Sequence, residues 1–161
     1  KKTRRGIGGF VSDLPSPENL ASMVTNVTET MWGLSFGISH QPADLPWEEE
    51  PCWRTATLPI NGPRHLNVAV ASDKPGGTAL CSAMFMCEVG EVAPGMIDEG
   101  LSELANIVAG QVKNAMGLDD TLGLPSLAAK PAGDAQKWRA ATLSNDNTSV
   151  RVWVAVTEGA A

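Results

Sequence analysis

The sequence predicts a single α/β domain of the α+β kind on a pseudo-twofold plan, an antiparallel sheet of duplicated hairpins with two long helices packed on it. Three observations predict it. The segment Pro94 to Gly117 carries apolar residues at helical spacing on one side and polar residues on the other. The hexapeptides WRTATL (Trp53 to Leu58) and WRAATL (Trp138 to Leu143) nearly coincide, and each is followed by a turn and an alternating strand. Each is also preceded by a helical segment that ends in a glycine, Gly33 or Gly117. The chain therefore reads as two copies of helix, loop, strand, turn, strand, with a short helix inserted after the first copy.

Size and composition agree with one domain. A chain of 161 residues that is 43% hydrophobic and 19% charged suffices for one buried core. Residues 1–12 read as a flexible basic lead-in and 13–161 as the domain. The net charge is −6, and four of the twelve basic residues are Lys1, Lys2, Arg4 and Arg5, so the body is acidic and a poor partner for nucleic acid. No apolar run reaches the roughly 20 residues of a membrane span, and no signal-peptide core follows the basic start, so a cytoplasmic protein with no membrane partner is expected. Cys52, Cys81 and Cys87 are odd in number without CxxC spacing, which supports buried thiols rather than a disulfide framework or zinc site. His40 and His65 stand far apart, and Pro75-Gly76-Gly77 matches no phosphate-loop fingerprint and reads as a turn.

In chain order, Ser16 is the expected N-cap of a helix from Pro17 to Trp32, with Pro17 at its first position and Gly33 as its stop. Leu20, Met23, Val24, Val27 and Met31 keep its helical spacing. The acidic, proline-bearing segment His40 to Pro51 reads as a surface loop. From Cys52 the period becomes two: strands Trp53 to Pro59 and Leu66 to Ser72 form an antiparallel pair around Asn61-Gly62-Pro63. A short helix from about Gly77 to Cys87 buries Leu80, Cys81, Met84 and Phe85. After the long helix, Leu122 to Leu127 reads as a short strand. Trp138 to Leu143, a turn over Ser144 to Asn147, and the β-branched run Val150 to Val156 complete the second hairpin.

The long helix carries the candidate site. Ile97, Leu101, Leu104, Ala105, Val108, Val112 and Ala115 form its apolar stripe, while Glu99, Glu103, Asn106, Gly110 and Lys113 share the other side. Asn and Gly are poor helix formers, Gly costing about 1 kcal/mol relative to Ala, so helix stability did not select this row. A carboxylate and an amide one turn apart project together from a rigid rod, and a glycine one turn on lets a partner approach. The other half offers no second copy: registering the repeats on Gly33 and Gly117 sets Asn19 and Ser22 opposite Glu103 and Asn106, and slipping by one turn sets Met23 and Asn26 there.

The run Glu103-Leu104-Ala105-Asn106-Ile107-Val108-Ala109-Gly110, after Met96-Ile97-Asp98-Glu99 and before Leu124-Pro125-Ser126, resembles the CheX branch of the CheC/CheX/FliY family of chemotaxis phosphatases. The resemblance extends from about Glu18 to Glu158. It implies the CheC/CheX-like fold and a hydrolase that speeds loss of the aspartyl phosphate from a phosphorylated CheY-like response regulator. Asn106 would orient the attacking water, and Glu103 would pair with the regulator's phosphate-binding lysine. No cofactor of the chain's own is implied, because the Mg2+ is carried by the regulator. The family pattern usually has Asp or Ser four residues before the glutamate; here Glu99 stands there, an acid suited to a rim contact or the mark of a different partner. Glu99, Gly110 and Lys113 are the expected partner-binding residues, and the CheX branch implies a homodimer. Two rivals keep the fold: a non-catalytic module holding a signalling or flagellar-motor partner, and an oligomerisation domain whose Glu103 and Asn106 only meet water.

Overall fold

The computed structural model describes residues 13–38, 53–129, 131, 137–144 and 151–158. The lead-in 1–12, the loop from His40 to Pro51, Cys52 and residues 145–147 of the last turn lie outside them.

Helix α1, Pro17–Trp32, has the predicted bounds. The Ser16 hydroxyl accepts the Asn19 N–H at 3.1 Å, which satisfies one of the donors orphaned at a helix start. Gly33, at φ 65°, ends the helix in the left-handed conformation that a glycine adopts without strain. Leu20, Val24 and Val27 are buried, whereas Met31, expected on the apolar stripe, is 61% exposed on the last turn.

The short strand β1, Gly37–Ile38, precedes the first hairpin, β2 (Arg54–Asn61) and β3 (Leu66–Ser72), which pair antiparallel as predicted. Helix α2 spans Lys74–Phe85, so Pro75-Gly76-Gly77 is its first turn and not a separate turn. Its N-cap is Asp73, whose carboxylate accepts the Gly76 N–H at 2.7 Å and the Arg151 N–H at 3.1 Å. Proline tolerates a first turn because its missing N–H would be unsatisfied there anyway. Gly76 is needed for contact: a Cβ on it would lie 2.1 Å from the Arg151 carbonyl oxygen. Leu80 and Cys81 are buried as expected; Phe85, at the helix end, is 40% exposed.

A 3-10 turn over Val89–Glu91 leads to α3, Pro94–Ala115. Its turn at Gly117, φ 67°, repeats that at Gly33. Two short strands then replace the expected one, β4 (Thr121–Leu122) and β5 (Ser126–Ala128), both on β2. Pro125 lacks the N–H that a continuous ladder would use. The second hairpin is β6 (Arg139–Ser144) with β7 (Arg151–Glu158).

Among the described residues the sheet runs β1-β6-β7-β3-β2-β4, with β5 also on β2. The hairpins join antiparallel through β3 and β7. Both long helices lie on one face of this sheet, and they are crossed over. α1 precedes the β2–β3 hairpin in its repeat yet packs on β6 and β7; α3 precedes β6–β7 yet packs on β2 and β3. Between helices and sheet lies the main core, which includes Val24, Leu58, Val70, Leu104, Val108 and Val154. Complete burial of each such side chain contributes about 2 kcal/mol. The opposite face carries Ala69, Ala71, Ala140 and Ala155 with Trp138 and Trp153, all buried. Trp53 and Trp138 each stand one residue before their strands, but Trp53 packs against the main core and Trp138 belongs to the far face.

Candidate functional site

Helix α3 is held in rotation by three kinds of contact. Its apolar stripe buries Ile97, Leu101, Leu104, Ala105, Val108 and Val112, and also Gly100 and Ala109. The stripe runs out at Val112, and Ala115, expected to be buried, is exposed. Gly100 allows close approach of α2: a Cβ there would lie 2.4 Å from Cys81 Sγ, and the Cys81 thiol donates to the Met96 carbonyl at 3.4 Å. Burial pushes the Cys81 pKa up to about 12, so the thiol stays protonated.

The third contact is an ion pair. Arg54 Nε and Nη2 each donate to the Asp98 carboxylate at 2.8 Å, a two-bond fork that fixes the angle between β2 and the helix. The hydrogen bond to Asp98 raises the Arg54 pKa. Arg139, the arginine at the same place in the second WR repeat, donates through Nη1 to the Leu14 carbonyl at 3.0 Å, just before α1. Each repeat arginine thus ties the sheet to the start of the long helix above it. Sequence reasoning used the WR repeat only as a marker of duplication and missed this role. The available signal was an acid in the second turn of α3 and a matching arginine at a strand start.

With the helix so fixed, Glu99, Glu103 and Asn106 are exposed, and Gly110 and Lys113 are half-exposed on the same side. The predicted row is therefore one continuous stripe on the outer surface. A Cβ built on Gly110 meets nothing within 4 Å, so the gap above it is open. Among the described residues the side chains of Glu103 and Asn106 make no hydrogen bond or ion pair, which leaves one carboxylate and one amide available to a partner. Beside the C-terminal half of α3, a groove of about 390 Å³ separates it from α1 and is lined by Asn19, Ser22, Asn26 and Gln111, among others. The residues registered against Glu103 and Asn106 in the other half line this groove.

A family model described as "Chemotaxis phosphatase CheX" matches residues 54–142, more than half of the chain. The chain belongs to the CheX family. The match takes in the first hairpin, α2, all of α3 and most of β6. No curated protein matches the chain. Among solved structures, the chemotaxis protein CheX from Vibrio vulnificus is 13% identical, with 87% of this chain and 96% of that one covered at a TM-score of 0.66. CheX in the CheX-CheY-BeF3-Mg2+ complex from Borrelia burgdorferi is 12% identical over 90% of this chain and 99% of that one, TM-score 0.60. The FliM middle domain from Vibrio alginolyticus is 11% identical over 88% and 89%, TM-score 0.56. At these identities the likeness is one of fold, and it bears out the CheC/CheX-like architecture. No described helix of this CheX-family chain is long and apolar enough to cross a membrane.

Proposed function

We propose that this protein hastens hydrolysis of the aspartyl phosphate on a CheY-like response regulator, in chemotaxis or another two-component pathway. One observation carries the reading: Glu103 and Asn106 are exposed one turn apart on a helix whose other side is locked in the core, with open space over Gly110. Hydrolysis of an acyl phosphate needs little covalent help, since phosphoryl transfer is governed by positioning and neutralisation of charge. The Asn106 amide accepts from a water and donates to a neighbour without a charge that would repel phosphoryl oxygens. It would hold the attacking water in line. Glu103 would pair with the lysine that contacts the regulator's phosphate, and Glu99, Gly110 and Lys113 would form the docking rim. The Mg2+ belongs to the regulator in this scheme. A homodimer, which membership of the CheX branch suggests, has sheet edges at β1 and at β4 and β5 available to it.

The likeness to the FliM middle domain favours a second reading, in which the same helix holds a signalling or flagellar-motor partner without catalysis. The deciding experiment phosphorylates a panel of receiver domains with acetyl phosphate and follows phosphate release with and without the protein. A shortened lifetime for at least one receiver supports the phosphatase; binding with an unchanged lifetime moves the assignment to the holding module.

A further inference from the structure

The exposed stripe of α3 is too small to be a docking surface by itself. From Glu99 to Lys113 it is about 21 Å long and about 10 Å wide, some 200 Å². A specific interface covers about 800 Å² on each partner. A regulator seated on the stripe must therefore cover a neighbouring surface as well, and the neighbour beside the C-terminal half of α3 is the groove between α3 and α1.

The groove's chemistry is unlike that of the stripe. Asn19, Ser22 and Asn26 stand on one wall, at the i, i+3, i+7 spacing that puts them on one side of α1, and Gln111 of α3 stands opposite. Met23 and Met116 supply its apolar part. Among the described residues its one charged side chain is Asp13, which takes two hydrogen bonds, at 2.8 and 3.0 Å, from an Arg64 that also holds Glu158, and the bonding to Arg64 lowers the Asp13 pKa. Among the described residues the side chains of Asn19, Ser22, Asn26 and Gln111 make no hydrogen bonds. Amides have both donors and acceptors, the set that pairs with a peptide backbone, and walls of uncharged amide and hydroxyl side chains offer a charged guest no opposite charge to replace its lost hydration. At about 390 Å³ it has room for a few residues of chain.

We propose that this groove is the specificity half of the docking surface and receives an uncharged loop of the response regulator, bound through its backbone by Asn19, Asn26 and Gln111. The inference rests on the proposed function and assigns it a second contact, apart from the chemistry on α3. Helix α1, which has no glutamate and asparagine pair of its own at the registered positions, would thus share the docking surface with α3.

The test compares Ser22→Arg, which fills the groove, Gln111→Ala, which removes one amide, Thr30→Arg, which adds the same charge to α1 outside the groove, and Gly110→Leu, which fills the open space on the α3 stripe. Binding is titrated with the receiver domain activated by beryllofluoride and Mg2+, and turnover is followed on the phosphorylated form. Ser22→Arg is expected to weaken binding tenfold or more and Gln111→Ala about threefold, with the loss in KM rather than kcat, while Thr30→Arg binds as wild type does. If Ser22→Arg binds normally while Gly110→Leu does not, the groove is no part of the interface and the phosphatase reading stands. If wild type binds a receiver without shortening its lifetime, the phosphatase reading fails, and the same titrations still decide the groove. Binding of no receiver at all would overturn both.

Discussion

Val70 and Val154 lie directly opposite one another where the two hairpins meet, and each is flanked on its outer side by the same alanine of the repeat, Ala56 opposite Val70 and Ala141 opposite Val154. The pseudo-twofold axis passes between the valines. Both are fully buried under the helices. Val70→Ala or Val154→Ala should each cost about 2 kcal/mol in urea unfolding, from lost transfer energy plus a cavity. Because the two are cross-strand partners in one buried cluster, the double variant should depart from the sum of the single changes, and strict additivity would remove the valines from a shared core layer.

The two interior glycines of α3 should respond with opposite signs. Gly110→Ala should stabilise the protein by about 1 kcal/mol, since helix propensity improves and the new methyl meets open space. Gly100→Ala should destabilise it by about 1–3 kcal/mol despite the same propensity gain, because the methyl would meet Cys81 Sγ at 2.4 Å. Thermal melts of both variants check this; a common sign would mean that α2 and α3 do not pack as described.

Variants at Asn106 and Glu103 separate chemistry from docking. Asn106→Ala should abolish accelerated dephosphorylation with affinity changed by less than about twofold, because its interaction develops in the transition state. Glu103→Ala should weaken both, since an ion pair supports binding as well as turnover. Neither should lower stability, as both side chains are exposed and Ala is the better helix former. A large loss of affinity in Asn106→Ala, with kcat retained, would rule out the water-positioning role.

Alkaline stability should depend on Cys81. Burial raises its pKa from an ordinary 9.0 to about 12, so above pH 9 the unfolded chain loses this proton while the folded one keeps it. Fewer protons bound in the unfolded state means that stability falls as pH rises, between about pH 9 and pH 12. Denaturant midpoints measured across that range should decline for wild type and decline less for Cys81→Ala. Equal slopes would show that another group controls the alkaline limit.

Much of the candidate site was legible in the sequence because helical rows are local. Glu99, Glu103, Asn106, Gly110 and Lys113 fall on one side of any regular helix through Pro94 to Ala115, and the apolar stripe decides that this side faces out. Legibility failed where contacts are distant in sequence. Phe85 and Ala115 have apolar side chains at helical spacing, but each is the last residue of its helix and is exposed. Pro75-Gly76-Gly77 has a turn's composition, and only the Arg151 carbonyl beside Gly76 explains why glycine begins a helix there.

By itself the sequence determined the elements and their duplication, because caps, periods and turn residues act within a few positions: Ser16 starts α1, Gly33 and Gly117 close the long helices, and alternation marks both hairpins. Only the tertiary structure decided which helix covers which hairpin. An apolar stripe of leucines and valines buries as well on one hairpin as on its duplicate, so the stripes carry no address. Contacts far apart in sequence supply it: Arg54 holding Asp98 brings α3 over β2, and Arg139 holding the Leu14 carbonyl brings α1 over β6. That crossing seats α1 beside α3 on one face, and so places Asn19, Ser22 and Asn26 across a groove from Gln111.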